Sequence, residues 1–368
     1  MTKPMATIVQ EYVPAYRAPL FEAMRDLAQS RDFELCIAAG EAGPQQHQRD
    51  DAARQFVPDR HVRQRELKIA GRRVVTRSLD EVYARSDLVV LEQARRNLDA
   101  YRALATRRAT IGLWGHGADT TQQVGSLEAR LLRTMTSRAD WFFAYTDAGA
   151  DAAVTAGLSR DRITVLRNST DTATLRSHLD AITTDERTSF KRDHDLTNRT
   201  VVFVGGLDDS KLLPLLVEAS TITAQRIPGF RLLIVGSGPA SATLPDASWL
   251  KRIPHATGGS LALALSAGEA LVMPGRVGLV AVDALTAGLP VLTTDYPWHG
   301  PERDYLDEST SVVTAQRPAA FAHAMISILQ DADRRSRIRS AALAASAGLS
   351  VEAMAQRFVD GIGKALDA

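Results

Sequence analysis

Three short apolar runs in the second half of the chain end in glycine. Val201-Val-Phe-Val-Gly-Gly206 is followed, at the start of a helical stretch, by Lys211. Leu232-Leu-Ile-Val-Gly-Ser-Gly-Pro239 repeats the device and exposes Ser237 between its glycines. Pro274-Gly-Arg-Val-Gly-Leu-Val-Ala-Val-Asp283 leaves a third run through Gly275 and Gly278 into a helix. A glycine turn between a strand and a helix frees backbone N–H groups beside the positive end of a helix dipole, which suits an anion. Glycines let a ligand approach the main chain closely, and a lysine can cover a diphosphate as a point charge without directional demand. Asp283, about one and a half turns into the helix, would reach a ribose hydroxyl. Together these features predict a nucleotide site, whereas each turn alone is equally a tight strand–helix connection.

Elements of a definite kind must position these turns. Candidate strands are Ala6–Tyr12, Phe33–Ala39, Leu88–Leu91, Thr110–Trp114, Trp141–Tyr145 and Ile163–Leu166, with helical stretches such as Pro19–Gln29, Leu98–Arg107, Ser126–Arg138 and Ala148–Ala156 between them. A second series starts at Thr200–Val204 and continues through Arg231–Val235, Lys251–His255, Ala270–Met273 and Pro290–Thr293. Strand–helix alternation predicts parallel, doubly wound sheets, and the polar run Ile182–Asn198 reads as a linker between two of them. The expected division is residues 1–185 and 199–350. Val351, Met354, Phe358, Ile362 and Ala365 recur at helical spacing, so a last helix over 351–368 is expected to pack back on the first domain. Two Rossmann-like domains facing a cleft are predicted, with chemistry in the loops beyond the carboxyl ends of strands.

Composition narrows the function classes. The 368 residues carry 44 Lys+Arg against 43 Asp+Glu, and 45% are hydrophobic, as in an ordinary globular protein. Cys36 is the sole cysteine, so neither an intrachain disulfide nor a cysteine-rich zinc site is expected. With no membrane-length apolar run and no signal-peptide layout at the start, the reading is a cytoplasmic protein. One local excess stands out, from Arg49 to Arg77, where nine basic residues face four acidic ones and Phe56 is the single aromatic. That aromatic content argues against nucleic acid. The segment is either a solvated loop face or a patch drawn to anionic lipid or a diphosphate-bearing acceptor, which would place the protein peripherally at the inner membrane face.

The three glycine motifs resemble those of glycosyltransferase family 4, retaining enzymes of the GT-B fold that use nucleotide-sugar donors. Tyr16-Arg-Ala-Pro-Leu-Phe21, Leu113-Trp-Gly-His-Gly117, Ala144-Tyr-Thr146 and Asn168-Ser-Thr-Asp171 are similar to elements of a bacterial branch of that family. The resemblance implies that Gly205, Gly206, Lys211 and the backbone of Val277, Gly278 and Leu279 contact the donor diphosphate. It implies that Asp283 stands for the second acid of the family's pair, and that His116 lies near the donor sugar and the reacting centre. The first acid would fall at Gly275, which has no side chain, leaving backbone N–H groups and Arg276 to serve that end. Glu302, in Trp298-His299-Gly-Pro-Glu302, is a further donor candidate. Tyr16, Arg17, Gln93 and Asn97 follow strands of the first domain and are acceptor candidates. No metal or other cofactor is expected: Asp331-Ala-Asp333 and Asp193-His-Asp195 have Asp-x-Asp spacing but sit in polar stretches where capping accounts for them.

The resulting expectation is a retaining glycosyltransferase of bacterial surface-glycan or glycoconjugate synthesis, with a nucleotide-sugar donor and a lipid-linked or small-molecule acceptor. The rivals are a nucleotide-binding protein without catalysis, suggested by Gly275, and a nucleotide-sugar epimerase of the same fold.

Overall fold

A computed structural model describes residues 3–43, 56–69, 72–118 and 125–368. The chain forms two compact units. The first contains 3–118, 125–171 and 351–368, and the second is Thr172–Ser350.

In the first unit β1 (Met5–Gln10), β2 (Glu34–Ala39), β3 (Arg60–His61), β6 (Leu88–Glu92), β7 (Thr110–Gly115), β8 (Trp141–Ala144) and β9 (Ile163–Val165) form a parallel sheet in the order β3-β2-β1-β6-β7-β8-β9. Ile8 pairs with Ile37 on one side and Val90 on the other. All three are fully buried, because helices cover both faces and a parallel strand therefore reads as a continuous apolar run. The helix Val351–Asp367 closes this core. Its Met354, Phe358 and Ile362 pack with Ile8, Phe21, Met24 and Trp114, and the Phe358 ring lies 4.5 Å from that of Phe143.

The second unit repeats the plan with β10 (Thr200–Val204), β11 (Arg231–Val235), β12 (Leu250–Ile253), β13 (Leu271–Met273), β14 (Val291–Thr294) and β15 (Ser311–Thr314), in the order β12-β11-β10-β13-β14-β15. Strand order reverses between β10 and β13, whose shared register is Val202↔Leu271. Open α/β sheets bind ligands beyond the strand ends at such a switch point. The loops after β10 and β13 are those that carry Lys211 and Gly275–Gly278.

Two expectations differ from what is found. The run read as a linker holds a helix, Thr184–Asp193, and belongs to the second unit. Thr183 and Glu186 form a reciprocal capping box that starts it, and Phe190 packs toward Leu196 and Ala264. The arginine-rich segment holds a hairpin, β4 (Gln64–Ile69) with β5 (Arg72–Arg77), antiparallel with Glu66 opposite Val75. Arg77 on it is buried and paired with Asp99 and Glu92, Arg73 pairs with Glu11 and Glu66, and Arg60 with Glu81, so these three are internal ties rather than a free patch. Arg63, Arg65 and Lys68 are exposed, while Arg49 and Arg54 lie outside the described residues. Among the described residues, no helix is long and apolar enough to cross a membrane.

Candidate functional site

Three glycine turns of the second unit lie side by side because β11, β10 and β13 are neighbours. The turn after β11 presses on the turn after β10. Gly205 N–H donates to Val235 O (3.0 Å) and Leu207 N–H to Ser237 O (3.0 Å). A Cβ on Gly236 would come within 2.0 Å of Gly205 O, and one on Gly238 within 2.3 Å of Leu207 O. Those two glycines are therefore required by backbone packing. Gly205 and Gly206 have no atom closer than 3.7 Å to a built Cβ, and Gly206 is exposed, so this part of the surface stays open.

Lys211 ends a short 3-10 turn, Asp209–Lys211, that Asp208 caps by accepting from Ser210 N–H (2.9 Å). The next residue, Leu212, has φ 51°, a conformation uncommon for leucine and one that fixes where the following helix departs. Among the described residues the Lys211 ammonium donates to the Arg276 carbonyl alone, at 2.7 Å, which leaves two N–H donors. Burial pushes its pKa below the usual lysine value and the Arg276 cation adds to this, against the pull of Asp208. A desolvated cation of this kind gains from an anionic ligand.

Across the switch point, the turn after β13 is held from two sides. Arg276 N–H donates to Ser210 O (2.8 Å), and Arg276 Nε to Trp298 O (3.1 Å). Gly275 is buried against the Ser210–Lys211 backbone. Val277 N–H, expected among the diphosphate donors, is engaged with His299 Nδ1 at 3.1 Å. Among the described residues the N–H groups of Gly278 and Leu279 find no hydrogen-bond partner, and they precede the helix Val280–Ala287, whose dipole adds positive potential there. Asp283 is half-buried in the first turns of that helix. Glu302 is 4% exposed, with its carboxylate bordering Gly278 and Gly300. Lys211, Arg276, Gly278, Leu279, Asp283 and Glu302 are thus gathered around one switch point, with Gly205, Gly206 and the exposed Ser237 on the adjoining turns. His299 is the residue here that spacing did not single out, beyond its place in a loop following a strand.

The first-unit candidates follow β1, β6 and β7. Tyr16 is 41% exposed. Arg17 is buried: its guanidinium donates to Asn168 Oδ1 (2.6 Å) and lies 5.0 Å from the ring centroids of Tyr16 and Trp114 and 5.5 Å from that of Tyr145. It orders three aromatic faces by cation–π attraction rather than presenting its charge to solvent. The Tyr145 ring lies 4.9 Å from that of half-buried His116. Gln93 donates to Thr136 Oγ1 (2.7 Å) and accepts from Gly117 N–H (2.8 Å), so its amide pins the His116-Gly117 loop. Asn97 is buried and donates to Glu92 Oε2 (3.2 Å). Of the acceptor candidates, Arg17, Gln93 and Asn97 have their side chains engaged inside the unit, and Tyr16 keeps an accessible face. The Asp-x-Asp spacings resolve into local structure as well. Asp331 caps the helix Ala332–Ser346, and Asp195 pairs with Arg231 and Lys251.

Residues 198–331, which include Lys211, Gly275–Leu279, Asp283, His299 and Glu302, match the family model for glycosyl transferases group 1. No curated protein matches the chain. Several solved structures are similar along its whole length. HepE of Anabaena in complex with UDP and glucose has a TM-score of 0.69 at 15% identity, covering 99% of this chain and 100% of that one. The pneumococcal O-GlcNAc transferase GtfA in complex with UDP and GlcNAc has 0.67 at 11%, covering 99% and 100%. A putative UDP-N-acetylglucosamine 2-epimerase from Listeria monocytogenes has 0.65 at 14%, covering 98% and 96%. At such identities the likeness establishes the fold: two parallel-sheet α/β units of the GT-B type.

Proposed function

We propose that the chain is a retaining glycosyltransferase of family 4 that moves a sugar from a nucleoside-diphosphate sugar to an acceptor hydroxyl. The observation that carries this reading is the meeting, at one switch point, of a lysine and two N–H groups at a helix start; among the described residues the lysine bonds a backbone carbonyl alone and the N–H groups bond nothing. Lys211, Gly278 and Leu279 would hold the diphosphate over Gly205 and Gly206. Asp283 would take the ribose, with Ser237, Arg276 and Glu302 bordering the nucleotide. Charge building on the departing diphosphate is stabilised by these groups, which supply the positive potential that a metal supplies in other transferases. In the retaining reaction the acceptor attacks from the face the leaving group departs. His116 would hydrogen-bond a sugar hydroxyl or relay the acceptor's proton, and Tyr16 would contact the acceptor. The UDP complexes of the similar structures favour a uridine diphosphate donor.

Titration of the full chain with UDP tests the donor half. Lys211→Ala should weaken UDP binding by about tenfold or more, the loss expected for hydrogen bonds to a charged group. Equal affinity in the two proteins would overturn the assignment. Product mass separates the chemistries: transfer or hydrolysis changes the mass of the donor sugar, epimerisation leaves it unchanged, and a binding protein gives no turnover.

We read the activity as a step of bacterial surface-glycan or glycoconjugate assembly at the cytoplasmic membrane face, on a lipid-linked or small-molecule acceptor. The exposure of Arg63, Arg65 and Lys68 supports such a contact. Replacing these three by glutamine should reduce sedimentation with vesicles rich in anionic lipid at low salt by about 3 kcal/mol in total, at roughly 1 kcal/mol per charge. Unchanged sedimentation would reduce the segment to a solvated face.

A further inference from the structure

The loop after β14 carries a histidine with two well-defined partners. His299 Nδ1 accepts from Val277 N–H at 3.1 Å, and Nε2 faces Thr294 O at 3.1 Å. An acceptor at Nδ1 and a carbonyl at Nε2 admit a single arrangement, the neutral imidazole with its proton on Nε2. The flanking residues reinforce the brace. Trp298 O accepts from Arg276 Nε (3.1 Å), and Gly300 N–H donates to Val277 O (2.7 Å). Thr294, whose carbonyl accepts from Nε2–H, also donates through Oγ1 to Pro274 O (2.6 Å), so the imidazole and this hydroxyl together tie both ends of the turn to the end of β14.

We propose that His299 is a positioning residue for the donor diphosphate: as a neutral imidazole it holds the Val277 peptide, and so leaves the N–H groups of Gly278 and Leu279 set for the ligand. This rests on reading that turn as the diphosphate seat. It also gives the seat a pH limit. A proton on Nδ1 would face the Val277 N–H donor to donor, and the contact would break. The charged groups acting on the ring are the cations Arg303, Lys211 and Arg276, from three different segments, while the Glu302 carboxylate borders the turn at Gly278 and Gly300 and Tyr296 meets the ring edge-on at 5.6 Å. Burial first, and those cations with it, hold the imidazole below its ordinary value, against the Thr294 carbonyl. The brace is therefore complete at neutral pH and is lost as pH falls through the lowered value.

UDP titrations of the full chain, from mildly alkaline to mildly acidic pH, decide the matter. His299→Ala should bind UDP about tenfold more weakly at neutral pH, the worth of an ordered hydrogen-bonded brace. His299→Asn places an amide oxygen where Nδ1 stood and cannot titrate. It should keep neutral-pH affinity within roughly threefold and outbind the wild type increasingly as the medium is acidified. The ligand's own phosphate titrates alike against every variant and cancels in the ratio. An alanine variant that binds like wild type, or a constant ratio of wild type to the asparagine variant across pH, would overturn the proposal. If the alanine variant does not fold, the asparagine comparison decides alone. Failure of the wild type to bind UDP at any pH would instead reject the donor reading beneath it.

Discussion

Placing an acid at position 275, by Gly275→Glu, is expected to weaken UDP binding severely rather than to improve catalysis. Gly275 lies where the turn after β13 crosses the turn after β10. A Cβ there would stand 2.2 Å from Ser210 O, 2.5 Å from Lys211 C and 2.7 Å from Lys211 Cα, all backbone atoms that cannot rotate away. Relief requires the two turns to separate, which breaks the bond from Arg276 N–H to Ser210 O (2.8 Å) and pulls the Arg276 carbonyl from the Lys211 ammonium (2.7 Å). Overpacking of this kind costs about 1–3 kcal/mol by itself. The glutamate also adds a negative charge beside the proposed diphosphate seat. Affinity should fall by about a hundredfold or more, the sum of a steric and an electrostatic loss each near 1.4 kcal/mol per factor of ten. Gly275→Ala separates the two causes, because it adds the Cβ without the charge. About tenfold weaker binding in the alanine variant assigns half of the free-energy loss to packing and the rest to the charge. Wild-type affinity in the alanine variant would show that the turns part freely, and the steric account would fail.

That crossing also marks how far the residues could be read unaided. Thr200–Val204 and Arg231–Val235 emerge as strands with the expected bounds, and Leu88–Glu92 and Thr110–Gly115 within a residue, because parallel strands covered on both faces are uninterrupted apolar runs closed by polar residues or glycine. The antiparallel strands Gln64–Ile69 and Arg72–Arg77 escaped because half of their positions are charged, mostly arginine, and a charged run reads as solvated surface until its partners Glu11, Glu92 and Asp99 are brought to it. Ser311–Thr314 is a four-residue strand on a sheet edge, too short to have a period. In the site, strand-end glycines were legible as turns, but their division of labour was not. Gly236, Gly238 and Gly275 serve contacts between turns, whereas Gly205 and Gly206 keep the surface open. The same limit applies to Gln93 and Asn97. Spacing places them after a strand, and only the fold shows their amides engaged with Gly117, Thr136 and Glu92. His299 is the converse case, a residue whose function depends on a bond across 22 positions of sequence to Val277.

Arg77→Leu should be the most destabilising single change in the first unit. The Arg77 side chain is wholly buried and sits 2.7 Å from Asp99 Oδ2 and 3.2 Å from Glu92 Oε2. Asp99 is 3% exposed, and among the described residues its second oxygen has no hydrogen-bond partner, so its charge is balanced through Arg77. Burial already raises Glu92 above the ordinary carboxylate range, with Arg77 pulling the other way. Removing the guanidinium leaves two carboxylates without their cation, which typically costs about 3–5 kcal/mol. For a unit of this size that lowers the melting temperature by on the order of 10 °C. The sign of the pH dependence identifies the cause. Glu92 freed of Arg77 takes up a proton more readily in the folded unit than in the unfolded chain, so the deficit should be largest at mildly alkaline pH and shrink on acidification. A cavity or packing defect would give a deficit independent of pH. The companion change Asp99→Leu, made together with Arg77→Leu, replaces most of the ionic cluster by apolar volume and should recover a large part of the loss, since a buried pair is worth little over a hydrophobic substitute while a broken one is expensive. Thermal melts of the two variants across pH provide the measurement. A double variant no more stable than the single one, with a pH-independent deficit in both, would show that Arg77 contributes shape rather than charge.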